Sequence, residues 1–183
     1  MVFSEIERTL KDGRAALLRS PREADAEEML AFIRKASGET EFLRRYPEEY
    51  ADYTLEKEKA FLRAANEDPD SVMIACVTEG RIAGNCQISL CTGLKERHRA
   101  SVAIAVLREF WGLGIGTALF GELIRLAKER PEGRQLELDF IEGNRRARGL
   151  YEKMGFRITG VKPDAIRRKD GAFLNEYMMV KRL

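Results

Sequence analysis

A glycine-rich turn between an apolar run and a helical pattern is the feature that most constrains how this chain folds. Residues 104–107 are apolar, Gly112, Gly114 and Gly116 stand at alternate positions, and a helical pattern begins directly after them. Glycine adopts positive φ angles without strain and lets other atoms approach the main chain closely. At the start of a helix, such a loop presents free N–H groups and the positive end of the helix dipole, which suit an anion. The sequence therefore predicts a strand, a glycine loop and a helix over residues 114–130, with a phosphate-bearing ligand at the helix start.

Two familiar nucleotide-binding loops do not fit this turn. A P-loop needs a Lys directly after its last Gly, but Gly116 is followed by Thr117 and Ala118. A dinucleotide-binding fold needs Gly-x-Gly-x-x-Gly, and counting from Gly112 puts Thr117 at the last position. Taken alone, the turn also fits a tight strand-to-helix connection that binds no ligand, and this alternative stays open.

A second segment with a defined register comes after the alternating, strand-like residues 136–141. It is a helical pattern that carries Asn144, Leu150, Tyr151, Glu152, Lys153, Met154, Gly155 and Phe156. In order and spacing, the apolar strand, the glycine loop and this segment together resemble the GNAT superfamily of acetyl-CoA-dependent N-acetyltransferases. The strong resemblance covers residues 100–156, and a weaker similarity runs from residue 14 to the end. Two motifs in register are more specific than either one alone.

The resemblance implies an α/β (α+β) fold. Its centre would be a GNAT-like mixed, mostly antiparallel sheet of about six or seven strands, splayed at the cofactor site and flanked by about four helices. From the residue pattern, strands are predicted over residues 14–19, 71–78, 81–91, 99–107, 136–141, 156–161 and 172–180. Helices are predicted after an N-cap at Ser20, over residues 54–66 and 114–130, and after Asn144.

The chain is predicted to hold one domain behind a short extension. With 183 residues it is long enough for a sizeable core, and residues 14–183 are taken as a single N-acetyltransferase domain. In the extension, residues 1–13, the Ser4-x-x-Glu7 pattern is typical of a capping box, and Ile6 and Leu10 share one side of a helix. The extension is therefore predicted as a short helix or as a frayed end.

Composition narrows the function classes. The net charge is +2, from 32 basic and 30 acidic side chains, which gives no support for binding to nucleic acid or to a membrane surface. No apolar run approaches the ~20 residues of a membrane helix, and no secretory signal pattern opens the chain. Cys76, Cys86 and Cys91 stand in apolar surroundings, and their odd number indicates reduced thiols in the cytoplasm. With a single histidine, His98, a metal site is not expected.

The resemblance implies acetyl-CoA as co-substrate, with its pyrophosphate held by main-chain amides of the glycine loop. The residues it implies for the coenzyme are Val106, Leu107, Trp111, Gly112, Leu113, Gly114, Ile115, Gly116, Thr117 and Asn144. In this family the strand around Val106 splays from its neighbour, and free main-chain groups there pair with the pantetheine arm and polarise the thioester carbonyl. Trp111 stands where the family has Gln or Arg, which weakens a side-chain contact at that place. Arg108 is an alternative source of positive charge.

Tyr151 is the candidate general acid. Attack of an amine on a thioester expels a thiolate, which a phenol can protonate, and the resemblance implies that role for a Tyr at this place. Periodicity alone favours a Tyr packed in the core, so both interpretations stay open. Asn144 is likewise a good N-cap by its residue type alone, and the resemblance adds a contact to the coenzyme arm.

No general base is assigned. An amine with a pKa of ~10.4 must lose a proton before it attacks, yet residues 101–106 contain no carboxylate. The candidates are Glu137, Asp139 and the acidic side chains of residues 37–53. The last segment mixes acidic and aromatic residues, which would suit a cationic amine on the acceptor side, although a solvated loop explains the same composition.

The leading functional hypothesis is an N-acetyltransferase in which a primary amine attacks acetyl-CoA directly, in a ternary complex. A non-catalytic coenzyme A-binding sensor or partner domain is the alternative, and a structural α/β protein without a ligand is a remoter one. The acceptor, a small-molecule or protein amine, is left open, because acceptor loops vary freely on one scaffold. The resemblance also implies a homodimer formed through the C-terminal strands.

Overall fold

The computed structural model describes all residues, Met1–Leu183, and contains eight strands and four α-helices. The strands are β1 (Ile6–Thr9), β2 (Ala15–Arg19), β3 (Ser71–Thr78), β4 (Arg81–Leu90), β5 (Arg99–Val106), β6 (Gln135–Ile141), β7 (Arg157–Arg167) and β8 (Phe173–Arg182). The helices are α1 (Ala26–Glu39), α2 (Leu55–Glu67), α3 (Ile115–Glu129) and α4 (Arg145–Lys153). None of them combines the length and apolarity that a membrane crossing requires.

The strands form one sheet in the order β1-β2-β3-β4-β5-β6-β8-β7. β5 and β6 pair in parallel, whereas β1–β2, β2–β3, β3–β4, β6–β8 and β7–β8 are antiparallel. The predicted mixed, mostly antiparallel sheet with four helices is therefore confirmed, with one strand more than the upper number expected.

Contacts divide the chain into two compact units. The first comprises Met1–Ser89 and Ala103–Phe120, and the second comprises Leu90–Val102 and Gly121–Leu183. The first unit thus holds β1 to β4, α1, α2 and the segment from the end of β5 to the start of α3. The second unit holds the beginning of β5, the rest of α3, and everything from β6 to the C-terminus.

In the first unit, β3 supplies the centre of the core. Its residues from Ser71 to Cys76 are buried, as expected of an apolar strand covered on both faces. The predicted strands over residues 71–78 and 81–91 are confirmed, and they form an antiparallel hairpin whose turn residues, Glu79 and Gly80, have positive φ angles of 52° and 74°. In α1, Ala26, Met29 and Leu30 share one buried face at helical spacing.

The prediction for the N-terminus is wrong. Residues 6–9 form strand β1, which pairs antiparallel with β2, rather than a helix. Ser20 is not a helix cap either, because its hydroxyl accepts a hydrogen bond from the Phe3 amide and donates one to the Met73 carbonyl, both at 2.9 Å. At residues 6–9, pairing with the edge of β2 has overridden the capping signal of Ser4, because a helix cap contributes only ~1 kcal/mol.

In the second unit, β6 is the central strand. It pairs with β8 along its whole length, from Gln135 to Ile141, and β8 pairs in turn with β7. The parallel pairing of β6 with β5 covers only Arg99–Ser101 opposite Gln135–Glu137 and ends there, although both strands continue. β7 continues to Arg167, past residue 161 where the prediction ended it, with register shifts against β8 along the way.

Both ends of α4 agree with the sequence signals. The Asn144 side chain accepts a hydrogen bond from the Ala147 amide at 3.1 Å, so it is the predicted N-cap. At the other end, the Phe156 amide donates to the Tyr151 carbonyl at 2.9 Å and the Gly155 amide to the Glu152 carbonyl at 3.0 Å. This is the arrangement of a helix that stops at a glycine, and it fixes the register of Tyr151.

Candidate active site

The glycine loop has the predicted strand–loop–helix geometry. β5 ends at Val106, a short 3-10 turn covers Arg108–Phe110, and α3 begins at Ile115. Gly112 and Gly114 have φ angles of 85° and 91°, a conformation that side chains with a Cβ rarely adopt. A Cβ placed on Gly112 would meet no atom within 4 Å, so the space beside the loop is open to another molecule.

The main-chain amides of this loop are free. The first bond of α3 runs from the Ala118 amide to the Gly114 carbonyl at 3.0 Å, and the amides of residues 112–117 have no acceptor within the chain. The first turn of α3 carries no acidic side chain that could occupy them. Free donors at the positive end of a helix dipole suit a phosphate, so the loop fits a pyrophosphate-bearing coenzyme.

Trp111 organises the turn before the loop. Its indole N–H donates a hydrogen bond of 2.7 Å to the Val106 carbonyl, and the Arg108 guanidinium lies 5.5 Å from the centre of its ring system. Of the main-chain groups predicted to be free at Val106, the carbonyl is thus already hydrogen-bonded.

Arg108 is itself engaged. Its amide donates to a Glu39 carboxylate oxygen at 2.6 Å, and its guanidinium donates to the Glu39 carbonyl at the end of α1. The guanidinium is therefore committed to α1 and to Trp111 rather than to the loop.

The remaining predicted loop residues differ in which of their groups a ligand could reach. The side chains of Leu107 and Ile115 are buried, at 2% and 1% exposure, so only their main chains could meet a ligand. The Leu107 amide is taken by the Ala83 carbonyl at 3.0 Å, and the Leu113 carbonyl accepts from the Lys11 amide at 3.2 Å. Trp111, Leu113 and Thr117 are half-buried, so the loop presents parts of these side chains beside its glycines and free amides.

Gly84 on β4 is a contributor that the sequence analysis did not single out. A Cβ at this position would lie 3.0 Å from Ile115 Cγ2, 3.2 Å from Val106 Cγ2 and 3.3 Å from the Ala105 carbonyl oxygen. The missing side chain lets β4 approach the end of β5 and the start of α3. A glycine inside a strand is a known sign of such close approach, so the sequence did contain the signal.

Tyr151 lies in the second unit, on α4. Its side chain is 8% exposed, and its ring lies between those of Phe140 and Phe156, at centroid distances of 6.1 and 6.3 Å. Burial raises the pKa of Tyr151 to about 12, because the charged form is poorly solvated. The phenol therefore keeps its proton at neutral pH, as a proton donor must. At the N-cap of the same helix, the side-chain nitrogen Nδ2 of Asn144 makes no hydrogen bond.

The strand carboxylates considered as general bases are held in ion pairs. Arg99 donates to both oxygens of Glu137, at 2.5 and 2.7 Å, and this pairing holds the pKa of the Glu137 carboxyl below its usual range. A carboxylate with a lowered pKa binds a proton poorly near neutral pH. Asp139 accepts a hydrogen bond of 2.9 Å from the Lys162 ammonium. Neither side chain stands as a free base.

Glu58 is a buried carboxyl that the sequence analysis missed. It is 2% exposed on α2, its partner is the Tyr53 hydroxyl, and burial raises its pKa. Tyr53 closes the segment of residues 37–53, and burial, together with the Glu58 charge, raises the pKa of Tyr53 to about 12. Glu58 comes three positions after Leu55 and four before Leu62, so helical periodicity already put it on the apolar stripe.

Comparison with known proteins decides the family. Residues 36–156 match the sequence profile of the acetyltransferase (GNAT) family. The chain belongs to this family. Within this GNAT chain, no group of three or more His, Cys, Asp or Glu side chains is arranged to hold a metal ion.

Individual relatives of this GNAT protein agree in fold and family. A structure of a GNAT acetyltransferase from Streptococcus pneumoniae superimposes with a TM-score of 0.84 at 28% identity, covering 92% of this chain and 99% of that one. A putative ribosomal protein bS18-alanine N-acetyltransferase of Bacillus subtilis is 28% identical over 103 residues, which are 56% of this chain. The L-amino acid N-acetyltransferase AaaT of Escherichia coli is 27% identical over 110 residues, which are 60% of this chain. The matches span 65% and 66% of these two relatives, just under two thirds of their lengths.

Proposed function

We propose that this protein transfers the acetyl group of acetyl-CoA to a primary amine. The observation that carries the proposal is the run of unpaired amides over residues 112–117, opened by Gly112 and Gly114 at positive φ. Membership of the acetyltransferase (GNAT) family supports the same assignment. Residues 14–183 are taken as one N-acetyltransferase domain, to which β1 adds an edge strand.

The proposed chemistry is direct transfer. The neutral amine attacks the thioester carbonyl carbon through its nitrogen, the C–N bond forms and the C–S bond breaks. The nitrogen gives up one proton to solvent water, and the released thiolate takes up one proton. Tyr151 is proposed to donate that proton, and Asn144 to contact the coenzyme arm with its side-chain nitrogen Nδ2, which has no partner in the chain. An acetyl-cysteine intermediate is disfavoured because Cys76 and Cys86 are buried, and burial raises the pKa of the Cys76 thiol to about 11.

The acceptor class is proposed to be the amino group of an amino acid, free or at the end of a protein chain. The names of the Bacillus and Escherichia relatives give alanine of a ribosomal protein and L-amino acids as their substrates. A cationic amine would also suit the acidic and aromatic composition of residues 37–53. An acetylation assay with free L-amino acids, peptides with free N-termini and polyamines, read by product mass, tests this class.

The coenzyme site is tested by Gly114→Val, with Gly171→Val as the matched control. Both glycines have φ near +90°, so the backbone strain is alike, but Gly171 lies in the turn between β7 and β8. We expect only Gly114→Val to weaken coenzyme A binding, as measured by calorimetry on proteins that remain folded. Equal affinity in wild type and Gly114→Val would contradict the proposed cradle.

The role of Tyr151 is tested by steady-state kinetics of Tyr151→Phe. If the phenol protonates the thiolate, kcat falls by ~10²-fold or more, as for other general acids, while KM for acetyl-CoA changes little. An unaltered kcat would exclude the role. The buried ring is retained in Phe, so the fold should persist.

A non-catalytic coenzyme A-binding domain is the second candidate function. It is favoured by the absence of a carboxylate from residues 101–106 and by the ion pair that occupies Glu137. Thiol release from acetyl-CoA across the same amine panel separates the two functions. Binding without any amine-dependent thiol release would favour the second.

A further inference from the structure

The turn between β1 and β2 lies directly against the glycine loop. The Lys11 amide donates a hydrogen bond of 3.2 Å to the Leu113 carbonyl, which ties the two segments together through their main chains. The Lys11 side chain then runs across Gly114, since a Cβ on that glycine would lie 3.7 Å from Lys11 Cγ and 3.8 Å from Lys11 Cε. The ammonium, one bond beyond Cε, therefore lies close to Gly114, which belongs to the run of free amides.

The Lys11 ammonium has no partner in the chain. It makes no hydrogen bond and no ion pair, and the residue is exposed. Two carboxylates of the adjoining segments are already occupied: Asp12, the next residue in the turn, pairs with Arg14 at 2.7 Å, and Glu109, in the turn before the glycine loop, pairs with Lys35 at 2.5 Å and with Arg81 at 2.9 Å. A cation without a partner thus lies beside Gly114, in the run of free amides.

The loop lacks any other free cation. Trp111 stands where the family pattern has Gln or Arg, and the Arg108 guanidinium is held by the Glu39 carbonyl and the Trp111 ring. Main-chain amides alone leave most of the charge of a pyrophosphate uncompensated, and a lysine ammonium is a common point charge for phosphate. The N-terminal hairpin therefore supplies the charge that the loop itself does not.

We propose that Lys11 binds the pyrophosphate of coenzyme A from the β1–β2 turn, an inference that rests on the proposed function of the glycine loop. β1 and its turn then belong to the coenzyme site, although they precede the residues that match the family profile. Lys11 acts by binding and orienting the coenzyme and takes no part in proton transfer.

The test is calorimetric binding of coenzyme A and of dephospho-coenzyme A to wild type, Lys11→Met and Lys11→Arg. Lys95→Met is the matched control, because Lys95 is also exposed and without a partner but lies in the loop between β4 and β5. We expect Lys11→Met to raise the Kd for both ligands by ~5- to 20-fold, the range for one solvent-screened contact between a cation and a phosphate. Lys11→Arg should restore most of the affinity, and Lys95→Met should bind as wild type does.

Salt dependence separates a charge contact from a structural effect. The Kd of wild type should rise with salt more steeply than that of Lys11→Met, because one screened contact has been removed. Equal affinities in Lys11→Met and Lys95→Met, or equal salt slopes in wild type and Lys11→Met, would overturn the proposal. A loss seen with coenzyme A but not with dephospho-coenzyme A would place Lys11 at the 3′-phosphate and also overturn it. If wild type binds neither ligand, the proposed function of the loop fails first, and that outcome is distinct.

Discussion

The same substitution, Gly→Ala, should have opposite effects at Gly84 and Gly121. At Gly84 the new Cβ would lie 3.0 Å from Ile115 Cγ2 and 3.2 Å from Val106 Cγ2, several tenths of an ångström closer than ordinary contact. Both neighbours are β-branched and have few rotamers to retreat into, so overpacking costs ~1–3 kcal/mol. Alanine also restricts the unfolded chain more than glycine does, which stabilises the folded state by ~0.4–1 kcal/mol. We expect a net loss of ~1–2 kcal/mol in the free energy of unfolding.

Gly121 is the matched case without a clash. It lies inside α3, and a Cβ there would meet no atom within 4 Å. Alanine is favoured over glycine in a helix interior by ~1 kcal/mol, so Gly121→Ala should raise the free energy of unfolding by up to that amount. Urea unfolding at one pH measures both variants, with unchanged m-values showing that the denatured state is comparable.

The Gly84→Ala substitution should also affect the glycine loop. Because Ile115 begins α3 and Val106 ends β5, relief of the clash at Gly84 should shift the loop and weaken coenzyme A binding, whereas Gly121→Ala should not. If Gly84→Ala is as stable as wild type and binds the coenzyme equally well, that glycine does not serve the close approach of β4, and the reasoning fails.

Three further predictions concern single side chains. Burial holds the pKa of Glu58 above its ordinary value of 4.5, so its contribution to stability is full at acid pH and is lost as the pH rises through the folded-state pKa. Glu58→Gln should therefore gain stability relative to wild type as the pH is raised above that ordinary value, and a difference that does not change with pH in urea titrations would refute this. Asn144→Ala should lower the free energy of unfolding by ~1 kcal/mol through loss of the α4 cap, while Asn144→Ser keeps most of it; equal losses would mean that the cap is not the cause. Trp111→Phe should cost ~1 kcal/mol, because the Val106 carbonyl loses the indole N–H, and a neutral result in the same assay would show that the carbonyl finds another donor.

Much of the fold could be predicted because local signals and tertiary packing agree. The β3–β4 hairpin, the glycine loop with α3, and α4 with its cap at Asn144 and stop at Gly155 all form where turn and cap residues place them. The prediction for the N-terminus was wrong because local signals and tertiary packing disagree there. A capping pattern at Ser4 indicated a helix. The edge of β2, however, has unpaired main-chain groups with which residues 6–9 form hydrogen bonds, and a local sequence pattern cannot show this pairing.

The main-chain geometry of the glycine loop was predictable from the sequence, but the charges around it were not. Glycine spacing was enough to place the free amides of residues 112–117. It could not show that Trp111 binds the Val106 carbonyl, or that Glu137 is held by Arg99, since each depends on a side chain's direction in the folded chain. Lys11 is distant from the loop in sequence, so only the folded chain brings it there.

The link between Arg108 and Glu39 has a consequence for engineering. Two main-chain atoms, the Arg108 amide nitrogen and the Glu39 carbonyl oxygen, take part in it. These bonds join the last turn of α1 to the short turn at Arg108–Phe110 before the glycine loop. They do not involve the side chains of residues 40–53. Residues 40–53 leave from that fixed point. If residues 37–53 face the amine, as the proposed function has it, this segment could be exchanged for another while the bonds between Arg108 and Glu39 keep the turn before the glycine loop in place.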